Sequence, residues 1–247
     1  MESYSQFAYV YDSLMRDVDY KARAEYLLKL FKKHGKVPTL LLDLACGTGA
    51  FSNLFAKKGI EVIGVDKSED MLSIARKNSA EQGNDVLFLC QRAEQLDLYG
   101  TVDGAICCLD SLNHITSLRE LKKAMASVSL FLEKDCLFIF DVNTVYKHEK
   151  VLADNVFVKE NDGVFCVWQN RYDKRKKQTE IMLDFFVEKE GTCERFSESF
   201  CERAYTAEEI EKVLKASGFS VEAVYSDMKN TPAKSDDERI IFVAKKL

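Results

Sequence analysis

Two apolar segments that each end beside an acidic residue frame a glycine-containing turn near the start of the chain. The first covers residues 40–44 and is followed by Gly47 and Gly49, and the second covers residues 62–66 and ends at Asp66. An apolar run, a glycine turn, an amphipathic stretch and a second apolar run are typical of a strand–loop–helix–strand unit, which offers a tight backbone turn and a carboxylate to a nucleoside. The pattern therefore predicts a nucleotide-type site.

The spacing of the glycines favours a mononucleotide-type site over a dinucleotide site. A dinucleotide fingerprint has glycines at relative positions 1, 3 and 6, and counting from Gly47 these positions hold Gly47, Gly49 and Ser52. The third glycine is missing, which weakens an interpretation as an NAD-linked oxidoreductase. What remains is the pattern Asp-x-Ala-x-Gly-x-Gly, which starts at Asp43 and has Ala45 at its third position.

Strand-like and helix-like segments alternate over most of the chain, which indicates a parallel sheet with helices on both faces. The predicted strands are residues 39–44, 60–65, 86–90, 102–108, 136–142, 219–225 and 240–244. The predicted helices of this core are residues 49–58, 69–82, 117–132 and 206–216. The alternation predicts an α/β fold, with a doubly wound, seven-stranded, Rossmann-like sheet that ends in an antiparallel hairpin.

Two segments depart from this alternation. Residues 1–36 read as a helical lead-in that would form an N-terminal lid. Residues 145–203 contain four strand-like stretches separated by turn residues, which predicts an inserted antiparallel β-sheet. The core would then consist of residues 37–144 and 204–247.

Composition and charge exclude several classes of protein. The chain has 247 residues, of which 47% are apolar and 30% are charged, as expected of one ordinary globular protein. No apolar stretch reaches the roughly 18–20 residues needed to span a bilayer, and the N-terminus lacks a basic segment followed by an apolar one, so we expect a cytoplasmic protein. The net charge of −5 argues against non-specific binding of nucleic acid.

Cysteine and histidine do not form a metal-binding pattern. The eight cysteines include no Cys-x-x-Cys pair, and His34, His114 and His148 are scattered along the chain. A structural zinc site needs closely spaced pairs of such ligands. We therefore expect free, mostly buried thiols and no metal ion.

The glycine turn resembles motif I of the class I S-adenosylmethionine (SAM) dependent methyltransferases, Asp/Glu-x-Gly-x-Gly-x-Gly, with Ala45 at the first glycine position. The match continues along the chain, because Asp66 corresponds to the acid that ends the second strand in that family. The segment from Ser68 to Leu72 resembles the start of the next helix, and residues 90–94 fall where the adenine-contacting loop lies. Residues 138–143 resemble the fifth strand.

The resemblance implies SAM as the cofactor and assigns roles by position. The glycine turn would approach the methionine part of SAM, where a Cβ atom would collide, and Asp43 would help to hold its amino group. Asp66 would accept hydrogen bonds from both ribose hydroxyls, each worth roughly 1.5–3 kcal/mol. The implied cofactor-binding residues are Asp43, Ala45, Gly47, Gly49, Asp66, Lys67, Met71, Arg92, Ala93 and Asp110.

Some of these assignments have an alternative. Met71 is expected to pack against adenine, although a position in the core would also suit it. Arg92 stands where many relatives have an acid that accepts a hydrogen bond from the adenine amino group, and an arginine cannot accept one. The backbone amide of Ala93 is therefore the safer adenine contact, and Glu94 is the alternative acceptor for the amino group. Asp110 follows the fourth strand at the carboxyl edge, beside the methyl-transfer centre of this family.

The N-terminal segment resembles the lid of small bacterial methyltransferases, including amino-sugar N-methyltransferases of macrolide pathways. The matching residues are Val10-Tyr11-Asp12-x-Leu14. In those enzymes a tyrosine of the lid and a histidine after the fourth strand approach the acceptor amine, which implies catalytic roles for Tyr11 and His114. A neutral imidazole can accept a proton near pH 7. The alternative is a tyrosine that only covers the cofactor and a histidine that only packs.

Together these features predict a SAM-dependent methyltransferase that acts on a nitrogen or oxygen of a small molecule. The insert of residues 145–203 would cover the acceptor site, and a homodimer through this insert is one expected assembly. No nucleic acid, membrane or metal is expected as a partner. Two alternatives stay open, namely a SAM-binding regulatory module with little catalysis and an NAD-linked oxidoreductase.

Overall fold

The computed structural model describes residues 5–189 and 191–247, so residues 1–4 of the predicted lid lie outside the described part of the chain. In chain order the strands are β1 (Leu40–Leu44), β2 (Glu61–Asp66), β3 (Leu87–Cys90), β4 (Gly104–Cys107), β5 (Leu137–Asn143), β6 (Val156–Asn161), β7 (Val164–Asp173), β8 (Gln178–Lys189), β9 (Thr192–Arg203), β10 (Phe219–Ser226) and β11 (Arg239–Lys246). The α-helices are α1 (Ser5–Leu14), α2 (Tyr20–His34), α3 (Ala50–Ala56), α4 (Glu69–Glu81), α5 (Leu118–Phe131) and α6 (Ala207–Ala216).

Seven strands form the main sheet, which confirms the predicted doubly wound α/β fold. Their order is β10-β11-β5-β4-β1-β2-β3, and β11 is antiparallel to both of its neighbours while the other neighbouring pairs are parallel. The first strand lies in the middle of the sheet, and the chain moves outward from it in both directions. This arrangement places a crevice at the carboxyl ends of β1 and β4, where α/β proteins bind ligands.

Alternating side chains of the strands point into two hydrophobic cores, one on each face of the sheet. On β5, Phe138 and Phe140 pack with residues of α5 and α6, whereas Leu137 and Ile139 pack with residues of α2 and α3. Each of these four side chains is buried. Strands buried on both faces read as continuous apolar runs, which explains why these segments were recognisable in the sequence.

Local capping signals fix the ends of the helices. Asp19 accepts a hydrogen bond from the backbone of Ala22 at the start of α2, and Ser68 caps α4 through the amide of Met71. Thr206 forms a capping box at the start of α6. The helix predicted at residues 49–58 is shorter in the structure, because α3 ends at Ala56 and is followed by a turn.

The inserted segment forms a separate antiparallel sheet of four strands in the order β6-β7-β8-β9. One face of this sheet packs on α1, where the ring of Phe7 lies 5.8 Å from that of Phe185 and Val10 and Leu14 join the same cluster. The insert also contains one turn of π-helix (Lys147–Leu152) before β6 that was not predicted. No helix within residues 5–189 and 191–247 is long and apolar enough to cross a membrane.

Candidate functional site

A cavity of about 340 Å³ opens at the carboxyl edge of β1, β2 and β4. Of the twelve residues predicted for the site, nine line this cavity and three do not. The nine are Tyr11, Ala45, Gly47, Asp66, Lys67, Met71, Arg92, Ala93 and His114. The other three are Asp43, Gly49 and Asp110, whose side chains or backbone lie behind the cavity wall.

In the turn after β1, every second residue from Ala45 to Gly49 has a left-handed backbone conformation. The φ angles of Ala45, Gly47 and Gly49 are 58°, 54° and 76°. A Cβ atom added to Gly47 would meet nothing within 4 Å and would stand in the open cavity. Ala45 holds a backbone conformation that suits glycine better, which explains why related turns have glycine at this position.

Gly49 is required for packing within the protein. A Cβ atom at this position would lie 3.0 Å from the ring of Phe88 and 3.1 Å from the Cβ of Ala75. Because Gly49 has no Cβ atom, the start of α3 can lie directly against Phe88 of β3 and Ala75 of α4. The glycine therefore shapes the loop from behind and does not border the cavity, which differs from its predicted contact with the cofactor.

Asp66 binds the glycine turn through its carboxylate. One oxygen accepts a hydrogen bond from the backbone of Gly47 and the other from the backbone of Ser68, each at 2.9 Å. Burial raises the pKa of Asp66, and these backbone donors oppose that increase. The side chain is thus held at the cavity wall with its two oxygens already oriented.

Asp43 is buried beneath the turn. Its carboxylate accepts a hydrogen bond of 2.6 Å from the hydroxyl of Ser52. Burial raises its pKa to about 7, although the bond from Ser52 acts in the opposite direction. Asp43 borders a smaller cavity of about 30 Å³ together with Tyr20 and Thr48, so it can reach a ligand in the main cavity only through an intermediate group.

Met71 and the loop after β3 form another wall of the cavity, which combines an apolar side chain with a charged pair. Met71 is buried at the start of α4 and packs with residues of α1. Arg92 donates a hydrogen bond of 2.5 Å to the carboxylate of Glu94, so these two charges neutralise each other. The backbone of Ala93, which begins a 3-10 helix, stays at the cavity surface.

Tyr11 and His114 both line the cavity, and they come from different elements of the fold. Tyr11 comes from α1, contacts Phe7 edge to face at 5.5 Å, and has its pKa raised well above the ordinary value by burial and by the neighbouring Tyr20. His114 ends the 3-10 helix Ser111–His114 and lies 4.9 Å from the ring of Phe200. Burial lowers the pKa of His114, while Asp110 opposes this shift.

A strained turn follows β4 and is held by β5. Leu109 and Asp110 have φ angles of 56° and 53°, and the carboxylate of Asp141 accepts hydrogen bonds from both of their amides, at 2.8 and 2.7 Å. Non-glycine residues in this conformation cost roughly 1–3 kcal/mol each and persist where the surroundings fix them. The turn directs His114 toward the cavity.

The side chain of Asp110 is bound to Arg239, which the sequence analysis did not single out. Arg239 donates to Asp110 at 2.5 Å and to Asp141, and its guanidinium is largely buried at the start of β11. Asp110 therefore acts on the cavity through its charge and does not line it. No local pattern marks Arg239, because its two partners lie 129 and 98 residues away.

Glu202 and His148 are two further buried groups behind His114. An oxygen of Glu202 lies 3.7 Å from Nε2 of His114 and the other lies 3.8 Å from Nε2 of His148. The sequence analysis did not single out Glu202, which lies on the same face of β9 as Phe196 and Phe200. Its partner His114 is far away in the sequence, so no local spacing links the two residues.

Donor atoms of Asp110, His114 and Glu202 lie within 4.8 Å of one another, which is a set that could hold a cation. Arg239 already binds Asp110, and Lys147 adds a second positive charge that acts on both carboxylates. A divalent ion would meet these cations on entry. We therefore assign no metal site to this cluster.

The insert reaches the site from behind. Among the described residues, none between 145 and 203 lines the main cavity. The insert instead supports α1, which covers the cavity with Phe7 and Tyr11, and it places Phe200 and Glu202 against His114. A hydroxyl–carboxylate bond of 2.7 Å between Thr48 and Asp12 ties α1 to the glycine turn.

Comparison with known proteins agrees with this geometry. The methyltransferase domain family matches residues 41–135. The chain is 32% identical over 244 residues to the candidate methyltransferase YqeM of Bacillus subtilis (strain 168), with 98% of this chain and 97% of that protein covered. It is 34% identical to a SAM-dependent methyltransferase from Clostridium acetobutylicum ATCC 824, whose crystal structure superposes with a TM-score of 0.90 over 99% of both chains.

A more distant structure shares the fold. SAM-bound CalS10 from Micromonospora echinaspora, an amino pentose methyltransferase of calicheamicin biosynthesis, is 20% identical, with a TM-score of 0.78 and with 98% of this chain and 97% of that chain covered. The open space at Gly47 and the oriented carboxylate of Asp66 suit the methionine and ribose parts of SAM. The chain belongs to the SAM-dependent methyltransferases, and SAM is its cofactor.

Proposed function

We propose that this methyltransferase acts on a nitrogen or oxygen of a small molecule that binds beside Tyr11 and His114. The observation that carries the proposal is that both side chains line the same cavity as Gly47 and Asp66. The charge of Asp110 acts on both of them, since it raises the pKa of Tyr11 and opposes the lowering of the pKa of His114.

The size of the cavity and the net charge of the chain support a small acceptor. The cavity of about 340 Å³ lies at the low end of the range for small-ligand sites, roughly 300–1,000 Å³. Because α1 covers the cavity and the net charge is −5, a nucleic-acid acceptor is disfavoured. CalS10 is described as an amino pentose methyltransferase, which makes amines the first class of acceptor to test.

Within this proposal, the residues of the chain align the reactants and handle one proton. When bound, SAM supplies a methyl group on a positively charged sulfur. Gly47 and Asp66 would hold the cofactor, and alignment of this kind can contribute roughly 7–11 kcal/mol to a rate. The buried imidazole of His114 is neutral near pH 7 because its pKa is lowered, so it can accept the proton that the acceptor loses. The protonated hydroxyl of Tyr11 would orient the acceptor.

The acceptor class can be tested with a panel of small molecules. Amino sugars, amino acids and phenols would be incubated with the full chain and labelled SAM, and both transfer of label and formation of S-adenosylhomocysteine would be measured. We expect transfer to at least one amine or hydroxyl compound and none to oligonucleotides. Transfer to nucleic acid alone would contradict the proposal.

Tyr11→Phe and His114→Ala are each expected to lower turnover by roughly 10–100-fold, about 1.4–2.7 kcal/mol, with little change in SAM affinity. The pH profile of His114→Ala should also lose the ionisation of the imidazole, which burial places below the ordinary value of 6.5. Steady-state kinetics of Tyr9→Phe supply a matched control, because Tyr9 lies on the same helix and is 77% exposed. Wild-type turnover in both Tyr11→Phe and His114→Ala would leave Tyr11 and His114 with a packing role.

Asp66→Ala is expected to weaken the binding of S-adenosylhomocysteine by roughly 10–100-fold, since one or two charge-assisted hydrogen bonds to ribose are lost. Asp66→Asn should lose less, because an amide oxygen still accepts one bond. Calorimetry of Asp85→Ala, an exposed acid in the loop before β3, controls for the change in net charge. Equal affinity in wild type and Asp66→Ala would show that the ribose lies elsewhere.

We also propose that two copies associate through the face of the insert that points away from α1. The exposed apolar residues on this face are Val156, Val158 and Phe165. Burial of such a patch is a common basis of self-association. The oligomeric state in solution, compared between wild type and Val158→Lys, is the corresponding measurement.

A further inference from the structure

We infer that Glu202 is a positioning residue that orients the imidazole of His114, and that His148 completes a row of three groups that leads from the cavity wall into the interior. This inference rests on the role proposed for His114. The two oxygens of Glu202 lie 3.7 and 3.8 Å from Nε2 of His114 and of His148. One carboxylate therefore faces two imidazoles, of which His114 lines the cavity and His148 is fully buried.

The three groups come from separate elements that are fastened together. The amide of Asn113 donates to the backbone carbonyl of Arg203 at 2.9 Å and to that of Asn143 at 3.1 Å. These bonds join the 3-10 helix that carries His114 to β9, which carries Glu202, and to the end of β5. The fold thus fixes the carboxylate of Glu202 beside Nε2 of His114, a residue that also lines the cavity.

His148 has an unusual environment for a buried side chain. Its Nδ1 lies 2.8 Å from the hydroxyl of Thr179. Its Nε2 has no hydrogen-bond partner among the described residues, and an oxygen of Glu202 is 3.8 Å away. Buried polar atoms are rarely left in this state without a reason, and contacts in an enzyme site often shorten when ligands bind. The free nitrogen of His148 would then donate to Glu202.

Charges around Glu202 couple it to His114. The charged and titratable groups that face Glu202 are Asp110, Lys147, Arg239, His114 and His148. Burial and the charge of Asp110 raise the pKa of Glu202 above its ordinary range. The charge of Asp110 acts on the pKa of both Glu202 and His114, and one oxygen of Glu202 lies 3.7 Å from the His114 ring, so the ionisation of one group is felt at the other.

Glu202 and His114 together supply a defined path for one proton. Burial raises the pKa of Glu202 to about 8, so above that pH its ionised carboxylate would accept the Nε2 hydrogen of His114, which leaves the lone pair of Nδ1 for the acceptor. The proton that leaves the acceptor nitrogen or oxygen would bind Nδ1 as the methyl group passes from the sulfur of SAM to that acceptor atom, with the sulfur–methyl bond broken and S-adenosylhomocysteine released. The resulting imidazolium is stabilised by the carboxylate, in the way that an acid orients a catalytic histidine in other enzymes.

The small number of histidines makes this inference measurable without an acceptor. His34, His114 and His148 are the three histidines of the chain, so each imidazole signal in a nuclear magnetic resonance titration can be assigned by single substitution. We expect the signal of His114 to titrate in two steps in wild type. In Glu202→Gln we expect one step, because the second step in wild type reports the ionisation of Glu202 beside the ring, which glutamine lacks.

His34 is the internal control, because it contacts Tyr225 and not Glu202, and its titration should be the same in both proteins. Identical titration of His114 in wild type and Glu202→Gln would overturn the inference. Should Glu202→Gln fail to fold, the wild-type protein alone still tests the inference. The nitrogen chemical shifts of its neutral His114 at high pH must show the proton on Nε2. The Nδ1-protonated form there would also overturn it.

Turnover separates this inference from the proposed function. Once an acceptor is known, Glu202→Gln should lower turnover by about 10-fold above pH 8, where Glu202 is ionised, and by less near neutral pH, with unchanged affinity for S-adenosylhomocysteine. Wild-type turnover in Glu202→Gln would overturn the positioning role. Wild-type turnover in His114→Ala, with the two-step titration intact, would contradict the proposed function and leave the contact between His114 and Glu202 established.

Discussion

Replacement of Arg239 by methionine is expected to lower the free energy of unfolding by about 3–5 kcal/mol at neutral pH, because removal of one partner of a buried ion pair leaves an uncompensated charge. Arg239 is the cation that binds both Asp110 and Asp141. Its side chain is 13% exposed, and those of the two carboxylates are 18% and 6% exposed. Urea unfolding of wild type and Arg239→Met measures the difference.

The pH dependence of this effect follows from Asp110. Burial alone would raise the pKa of Asp110, but Arg239 and Lys147 bring it below the ordinary value of 3.8. A carboxyl whose pKa is lower in the folded state contributes stability above the unfolded pKa and loses it as the pH falls. The difference between wild type and Arg239→Met should therefore shrink as the pH falls below about 4.

Arg171→Met is the matched control for Arg239→Met. Arg171 pairs with Glu180 at 2.5 Å, but its side chain is 74% exposed. Exposed pairs contribute roughly 0.2–1 kcal/mol, so this variant should unfold close to wild type. Equal stability of Arg239→Met and Arg171→Met would show that the buried cluster does not depend on its arginine.

Gly47→Val is expected to abolish binding of S-adenosylhomocysteine, with a loss of more than about 100-fold in affinity, about 2.8 kcal/mol. The added side chain would project into the open cavity, at the point where the methionine part of the cofactor would lie. The φ angle of 54° adds strain for any residue with a Cβ atom. Calorimetric titration gives the affinity, and thermal unfolding shows whether the chain still folds.

Gly83→Val separates the two effects of this substitution. Gly83 has a φ of 67°, and a Cβ atom there would also meet nothing within 4 Å, but it lies in the exposed turn after α4. The variant carries similar backbone strain without filling the cavity, so its affinity should stay within a few-fold of wild type. Equal loss of affinity in Gly83→Val and Gly47→Val would mean that strain alone is responsible.

The sequence predicted the core of the fold well, because its signals are local. Apolar runs mark β1, β2 and β5, and the caps at Ser68 and Thr206 mark helices whose ends agree with the structure. The alternation of these elements then determines the parallel sheet and the position of the crevice. For the same reason, residues that follow the ends of strands, such as Asp66 and His114, were found from the sequence.

Contacts between distant elements could not be predicted in this way. Arg239 reaches Asp110 from the last strand, and Glu202 reaches His114 from the insert, so neither pairing leaves a trace in local spacing. The described residues of the insert do not line the main cavity but support α1 and touch the site through the end of β9, and the place of the insert over the acceptor stays a prediction. Gly49 belongs to the glycine turn, yet its neighbour is Phe88 and not the cavity.

The most direct test of the central claim is a crystal structure of the full chain with S-adenosylhomocysteine. We predict that the ribose hydroxyls lie within about 2.5–3.0 Å of the Asp66 carboxylate and that the amino-acid part lies over Gly47. The sulfur should face the side of the cavity that holds Tyr11 and His114. A molecule bound elsewhere, or bound with its sulfur turned away from those two residues, would contradict the account.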